Sequence, residues 1–131
     1  MNPLVTLFID RSVGGKTVPD ALREIGAFLV LHDDIFPDPE TPDTEWLTKA
    51  GQEGWVVLTK DERIRYRPAE RATLIASNCL VIVLGAGNLR GVEMADLFVK
   101  AYPKIVDAAQ TGKRPLLLKL GRDGKLTPIK V

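Results

Sequence analysis

Residues 54–67 read GWVVLTKDERIRYR, and the apolar first half of that stretch decides the fold. The run from Trp55 to Leu58 has no polar face, so it suits a strand covered on both sides better than one with a side open to water. Four other runs share this character: LVTLFI (4–9), AFLVLH (27–32), LVIVLG (80–85) and PLLLKL (115–120). Between them the sequence predicts helices from about Val18 to Ile25, from about Thr41 to Gln52, over a stretch ending at Ser77, and from about Val92 to Ala109. The last has a stripe of Met94, Leu97, Phe98 and Ala101, with Pro103 as a potential kink. Short Val/Ile/Leu-rich strands alternating with helices imply a three-layer α/β/α sandwich around a mostly parallel sheet. PLLLKL and KLTPIK (125–130), joined by GRDG (121–124), add a C-terminal hairpin. No repeat or linker divides the chain, so a single domain over residues 1–131 is expected.

Composition narrows the function classes. Lys and Arg (18) nearly balance Asp and Glu (17), leaving a net charge of +1 and no global field to attract nucleic acid. Any charge argument is therefore local. The single cysteine, Cys79, lies between apolar segments and cannot form an internal disulfide; it reads as a buried structural thiol suited to a reducing cytoplasm. No stretch approaches the ~20 apolar residues a membrane span needs, and a soluble cytoplasmic protein is expected.

Two glycine-rich stretches resemble nucleotide-binding loops and fail. DRSVGGKT (10–17) ends like a phosphate-binding loop but has Asp10 where a glycine must turn, so Gly14-Gly15 reads as a plain turn and Lys16 as a solvated residue or minor phosphate contact. GAGNLRG (85–91) has its third glycine one residue too late for a dinucleotide site, leaving Asn88 and Arg90 only as contacts for some ligand at that edge. His32 is the only histidine; it ends the second strand and reads as a hydrogen-bonded structural residue, because no zinc site can be assembled around it.

The acids at the strand ends carry more. Asp10 ends strand one and Asp61 follows strand three, so in a parallel sheet both emerge at the carboxyl edge, where open α/β sheets bind ligands. Asp43, in the first turn of the helix after strand two, reaches the same edge. Each has a local alternative: Asp43 complementing a helix N-terminus capped by Thr41, and Asp61 or Thr59 capping the next helix. Asp10 precedes a turn and has no such use. Three clustered acids repel one another unless a cation joins them, and Mg²⁺ or Mn²⁺ suits an all-oxygen donor set. Arg63, Arg67 and Arg71 follow at four-residue spacing, either as a solvated face paired with Glu62 and Glu70 or as a phosphate-facing strip.

FID (8–10), PDTEWLTKAGQEGWVVLTKDERIR (42–65) and LVIVLG (80–85), in that order, resemble the compact PIN-like domains of the VapC type. The most specific piece is a D-x-x-[hydrophobic]-x-x-x-A helix followed by a strand ending T-x-D, and the resemblance runs over residues 4 to about 120. It implies a metal-dependent endoribonuclease, the toxin of a toxin–antitoxin pair, with Mg²⁺ or Mn²⁺ held by Asp10, Asp43 and Asp61. Arg63, Arg67 and Lys16 would bind the RNA backbone. A fourth acid is usual in larger members; Glu62, Glu93 and Asp96 are the candidates here and none fits cleanly, while Glu45 competes with Asp43 for the helical position. An antitoxin protein and a homodimer are the implied partners. Two other functions remain open: an aspartyl phosphoacceptor domain using Asp10 or Asp61 with Lys119, and a PIN-like module that has lost catalysis and only binds a partner.

Overall fold

The structure is a computed structural model that describes residues 5–13, 15–85 and 87–131. Leu4 of the first expected strand, Gly14 of the expected turn and Ala86 of the glycine-rich stretch lie outside the described residues. Among the described residues there are six strands and five helices: β1 (Thr6–Ile9), α1 (Thr17–Glu24), β2 (Phe28–Leu31), α2 (His32–Ile35), α3 (Asp43–Glu53), β3 (Val56–Thr59), α4 (Pro68–Ala76), β4 (Leu80–Leu84), α5 (Gly91–Thr111), β5 (Leu116–Leu120) and β6 (Leu126–Ile129). They form one sheet in the order β2-β1-β3-β4-β5-β6. The first five strands run parallel and β6 returns antiparallel to β5, pairing Leu120 with Leu126 across the turn at Gly121–Gly124.

Alternation along each central strand divides the core into two layers. Leu7 and Ile9, Val56 and Leu58, and Leu80, Ile82 and Leu84 face α1 and α5, where they meet Leu22, Phe98 and Ile105. Phe8, Val57, Val81 and Val83 face α3 and α4, where they meet Trp46, Leu47, Ala50 and Leu74. Every residue of β3 and β4 is buried, and the one polar residue among them, Thr59, is the last of β3. A fully buried Val, Leu or Ile contributes about 1.5–3 kcal/mol, so the unbroken apolar runs are themselves the stabilising feature. The three-layer architecture with a C-terminal hairpin is the one expected from the sequence.

Local differences have physical reasons. Strand β2 stops at Leu31, and His32 opens the one-turn helix α2 where a loop was expected; Asp33 and Asp34 sit in its first turn, where acids are favourable. Helix α3 starts at Asp43 with Pro42 at the cap and no side-chain cap bond, so Thr41 is not the cap. Pro103 lies inside α5 without ending it, because Phe98 and Ala101 before it and Ile105 after it are buried in the same layer. Helix α4 begins only at Pro68, and residues 62–66 form turns, so Arg63 and Arg67 do not share a helix.

Candidate active site

The carboxyl edge on the α3/α4 side gathers the acids. Asp10 is the residue after β1 and is 8% exposed, a depth that demands partners for a carboxylate. Its Oδ2 accepts hydrogen bonds from the Ser12 hydroxyl (2.6 Å) and the Thr59 hydroxyl (2.8 Å), and the two hydroxyl oxygens lie 3.1 Å apart. Ser12 Oγ also accepts the Lys60 backbone N–H (2.9 Å), and Thr59 Oγ1 accepts that of Asp61 (3.1 Å). The end of β3 is thereby tied to the end of β1 through side chains, which fixes Asp61 relative to Asp10.

Asp43 is placed by the start of α3. Its Oδ1 accepts the Trp46 indole N–H (3.0 Å), and that indole is itself stacked on Phe8 of β1 at 5.4 Å between centroids. The first carboxylate oxygen is thus set by a core aromatic, and the second is free to face the cluster. Burial pushes the Asp43 carboxyl above its ordinary value; the Trp46 bond opposes that shift, and the charges of Asp10, Asp61 and Glu70 reinforce it. Asp61 accepts the Arg63 backbone N–H on Oδ1 (3.1 Å) and the Arg67 guanidinium on Oδ2. It closes a turn rather than capping α4.

Glu70, in the first turn of α4, completes a set of four acids that act on Asp43 or surround Arg67. Sequence reasoning treated it only as an arginine partner. The signal that locates it is Pro68 at the start of α4, which puts Glu70 in the turn nearest the carboxyl edge. The other candidate acids are paired with cations or exposed. Glu93 caps α5, accepting the Arg90 backbone N–H (3.0 Å) and Nε (3.2 Å), and these bonds hold its carboxyl below the usual range. Asp96 and Glu45 are exposed on their helices, and Glu62 pairs with Lys119 at 3.7 Å.

Arg67 sits among these carboxylates. Besides its bond to Asp61, its guanidinium is 3.9 Å from Asp43 Oδ2 and 3.9 Å from Glu70 Oε1. An all-carboxylate set suits a hard divalent cation in kind. Among the described residues, however, no group of three or more His, Cys, Asp or Glu side chains is disposed to hold a metal ion as it stands. The positive charge beside these acids is that of the Arg67 guanidinium. Arg63 points elsewhere and, with Glu62, Arg65, Tyr66 and Lys119, borders a groove of about 240 Å³ floored by Val83, Leu117 and Ile129. Lys16 precedes α1 and lines a separate cleft with Val13, Thr17 and Met94, touching none of the four acids among the described residues. Cys79 and His32 are both buried: Sγ contacts the Leu47 carbonyl (3.3 Å), and His32 Nδ1 contacts Asp33 (2.9 Å).

Residues 5–86 match a family model described as "PIN like domain", a span that contains all four acids. The chain is similar to "Putative ribonuclease VapC45" of Mycobacterium tuberculosis (strain ATCC 25618 / H37Rv), at 24% identity over 107 residues, covering 79% of this chain and 78% of that protein. No solved structure matches it.

Proposed function

The chain belongs to the PIN-like domain family, and from that premise we propose that it is an endoribonuclease that hydrolyses RNA phosphodiester bonds with Mg²⁺ or Mn²⁺, as the toxin of a toxin–antitoxin pair. The observation that carries the reading is the convergence of Asp10, Asp43, Asp61 and Glu70 at one sheet edge, with the Arg67 guanidinium among them. Asp10, Asp43 and Asp61 would hold the metal, with Glu70 as the fourth acid in place of Glu62 or Glu45. When bound, the ion supplies a water of lowered pKa and neutralises charge developing on the phosphoryl oxygens.

The chain's own groups do the positioning. Ser12 and Thr59 hold one oxygen of Asp10 and leave the other open; Trp46 does the same for Asp43. Carboxylates fixed in this way need little reorganisation when they act. Arg67 offsets part of the cluster's negative charge until a cation replaces it and then becomes available to a substrate phosphate, while Arg63 contacts the backbone to one side. Lys16 would act only on a strand long enough to reach its cleft. An antitoxin protein would be the regulatory partner, and the cytoplasm the site of action.

Incubating a mixed RNA pool with the protein in Mn²⁺ and in EDTA tests the proposal. Cleavage in Mn²⁺ that stops in EDTA is expected; an intact pool in both would exclude the reading and leave a partner-binding module. The phosphoacceptor alternative gains nothing from the geometry, since among the described residues Lys119 pairs with Glu62 and no lysine contacts Asp10 or Asp61.

A further inference from the structure

The groove beside the acid cluster has a chemistry of its own. Its floor is the apolar end of the sheet: Val83 and Leu117, both almost fully buried, and Ile129 on the edge strand. Its walls are cationic, with Arg63, Arg65 and Lys119 against one acid, Glu62. Tyr66 stands at the rim and is 67% exposed, an unusual position for a large ring unless something covers it. The Arg65 guanidinium lies 4.5 Å from the Tyr66 centroid, on one side of the ring, and also donates to the phenol oxygen. Arg65 takes one ring face, so a ligand would stack on the other.

The two arginines of the groove differ from Arg67 in one respect. Arg67 is held by carboxylates, whereas among the described residues neither Arg63 nor Arg65 has a carboxylate partner. The Lys119 side-chain stem crosses Gly85 so closely that a Cβ there would meet it. Position 85 must be glycine for Lys119 to lie across this edge. The groove is continuous with the acids through the chain itself: Asp61 is in the cluster and its neighbour Glu62 is in the groove wall.

We propose that this groove binds single-stranded RNA, with a base stacked on the free face of Tyr66 over the apolar floor and the flanking phosphates paired with Arg63, Arg65 and Lys119. A π-face, an apolar floor and unpaired guanidiniums together fit a nucleotide better than they fit a peptide, since a stacked base and its phosphate satisfy all three at once. A duplex hides its bases and cannot use the Tyr66 face, so the groove selects unpaired RNA. The inference rests on the RNA-cleaving reading and assigns the segment of substrate beside the bond to be cut.

The test is fluorescence anisotropy with a short, labelled, single-stranded RNA of mixed sequence in EDTA, where no cleavage is expected. Wild type, Tyr66→Phe, Tyr66→Ala and Arg65→Ala are compared, with an RNA hairpin duplex and an acidic peptide as other ligands. Tyr66→Ala is expected to weaken single-strand binding about tenfold and Tyr66→Phe to retain it. Arg65→Ala is expected to weaken binding and flatten its dependence on salt. The groove assignment is overturned if both alanine variants bind single strands as wild type does, if the duplex binds as tightly as the single strand, or if only the peptide responds to the substitutions. Mn²⁺-dependent cleavage by wild type alongside any of these results would leave the nuclease reading standing and remove the groove alone.

Discussion

At Asp43 the opposing demands of the site meet. Its carboxylate is partly buried beside three other acids, and its pKa is raised chiefly by that burial. Because the folded pKa lies above the unfolded value of 3.8, the folded state holds more protons than the unfolded state as pH rises from 3.8 through the raised value. Stability therefore falls across that window. Melting curves in EDTA should show wild type losing stability relative to Asp43→Asn as pH rises from 4 towards neutrality, and Mn²⁺ should restore it in wild type only. Arg67→Gln should lower the melting temperature without metal, since it removes the guanidinium from Asp61, Asp43 and Glu70. The same variant should show a larger Mn²⁺-induced rise than wild type, and an equal rise would mean that Arg67 and the ion do not compete. Burial pushes the Cys79 thiol up to about 11, so a thiol reagent at neutral pH should modify it only on unfolding.

At the scale of elements, the site depends on where strands stop and helices start. Asp10, Asp43 and Asp61 were legible as neighbours because an unbroken apolar run announces its own end, and parallel strands bring those ends to one edge. Glu70 and the position of Arg67 were not legible. Both depend on the turns over residues 62–66, whose apolar residue Ile64 is tucked into the core and reorients the chain before Pro68. The four-residue spacing of the arginines suggested a helix that those turns replace. Ser12 was hidden for a related reason, since a hydroxyl in a turn gives no pattern and only the tertiary pairing of β1 with β3 brings it to Thr59. Helix α3 ends on Gly54 at φ 73°, a left-handed conformation from which the chain turns directly into β3. Gly54→Ala should cost about 1 kcal/mol, read as a lower melting temperature, while metal affinity stays unchanged because Asp43 is at the far end of the helix.

For the whole molecule, the two-layer core is a rigid frame for a charged edge. Phe8 stacks on Trp46, and Trp46 holds Asp43; Thr59 ends a fully buried strand and holds Asp10. Core packing thus sets carboxylate geometry directly, without a flexible loop between them. The frame itself could be read from the sequence, because every central strand is apolar on both faces. The electrostatic state of the edge could not, because a guanidinium six residues beyond Asp61 fills the space between the acids. The most direct measurement is the rate of RNA cleavage in saturating Mn²⁺ by wild type, Asp10→Asn and Asp61→Asn, each shown to be folded by circular dichroism. The account predicts that both variants lose about a hundredfold or more of the wild-type rate. Cleavage by either variant at the wild-type rate would contradict it.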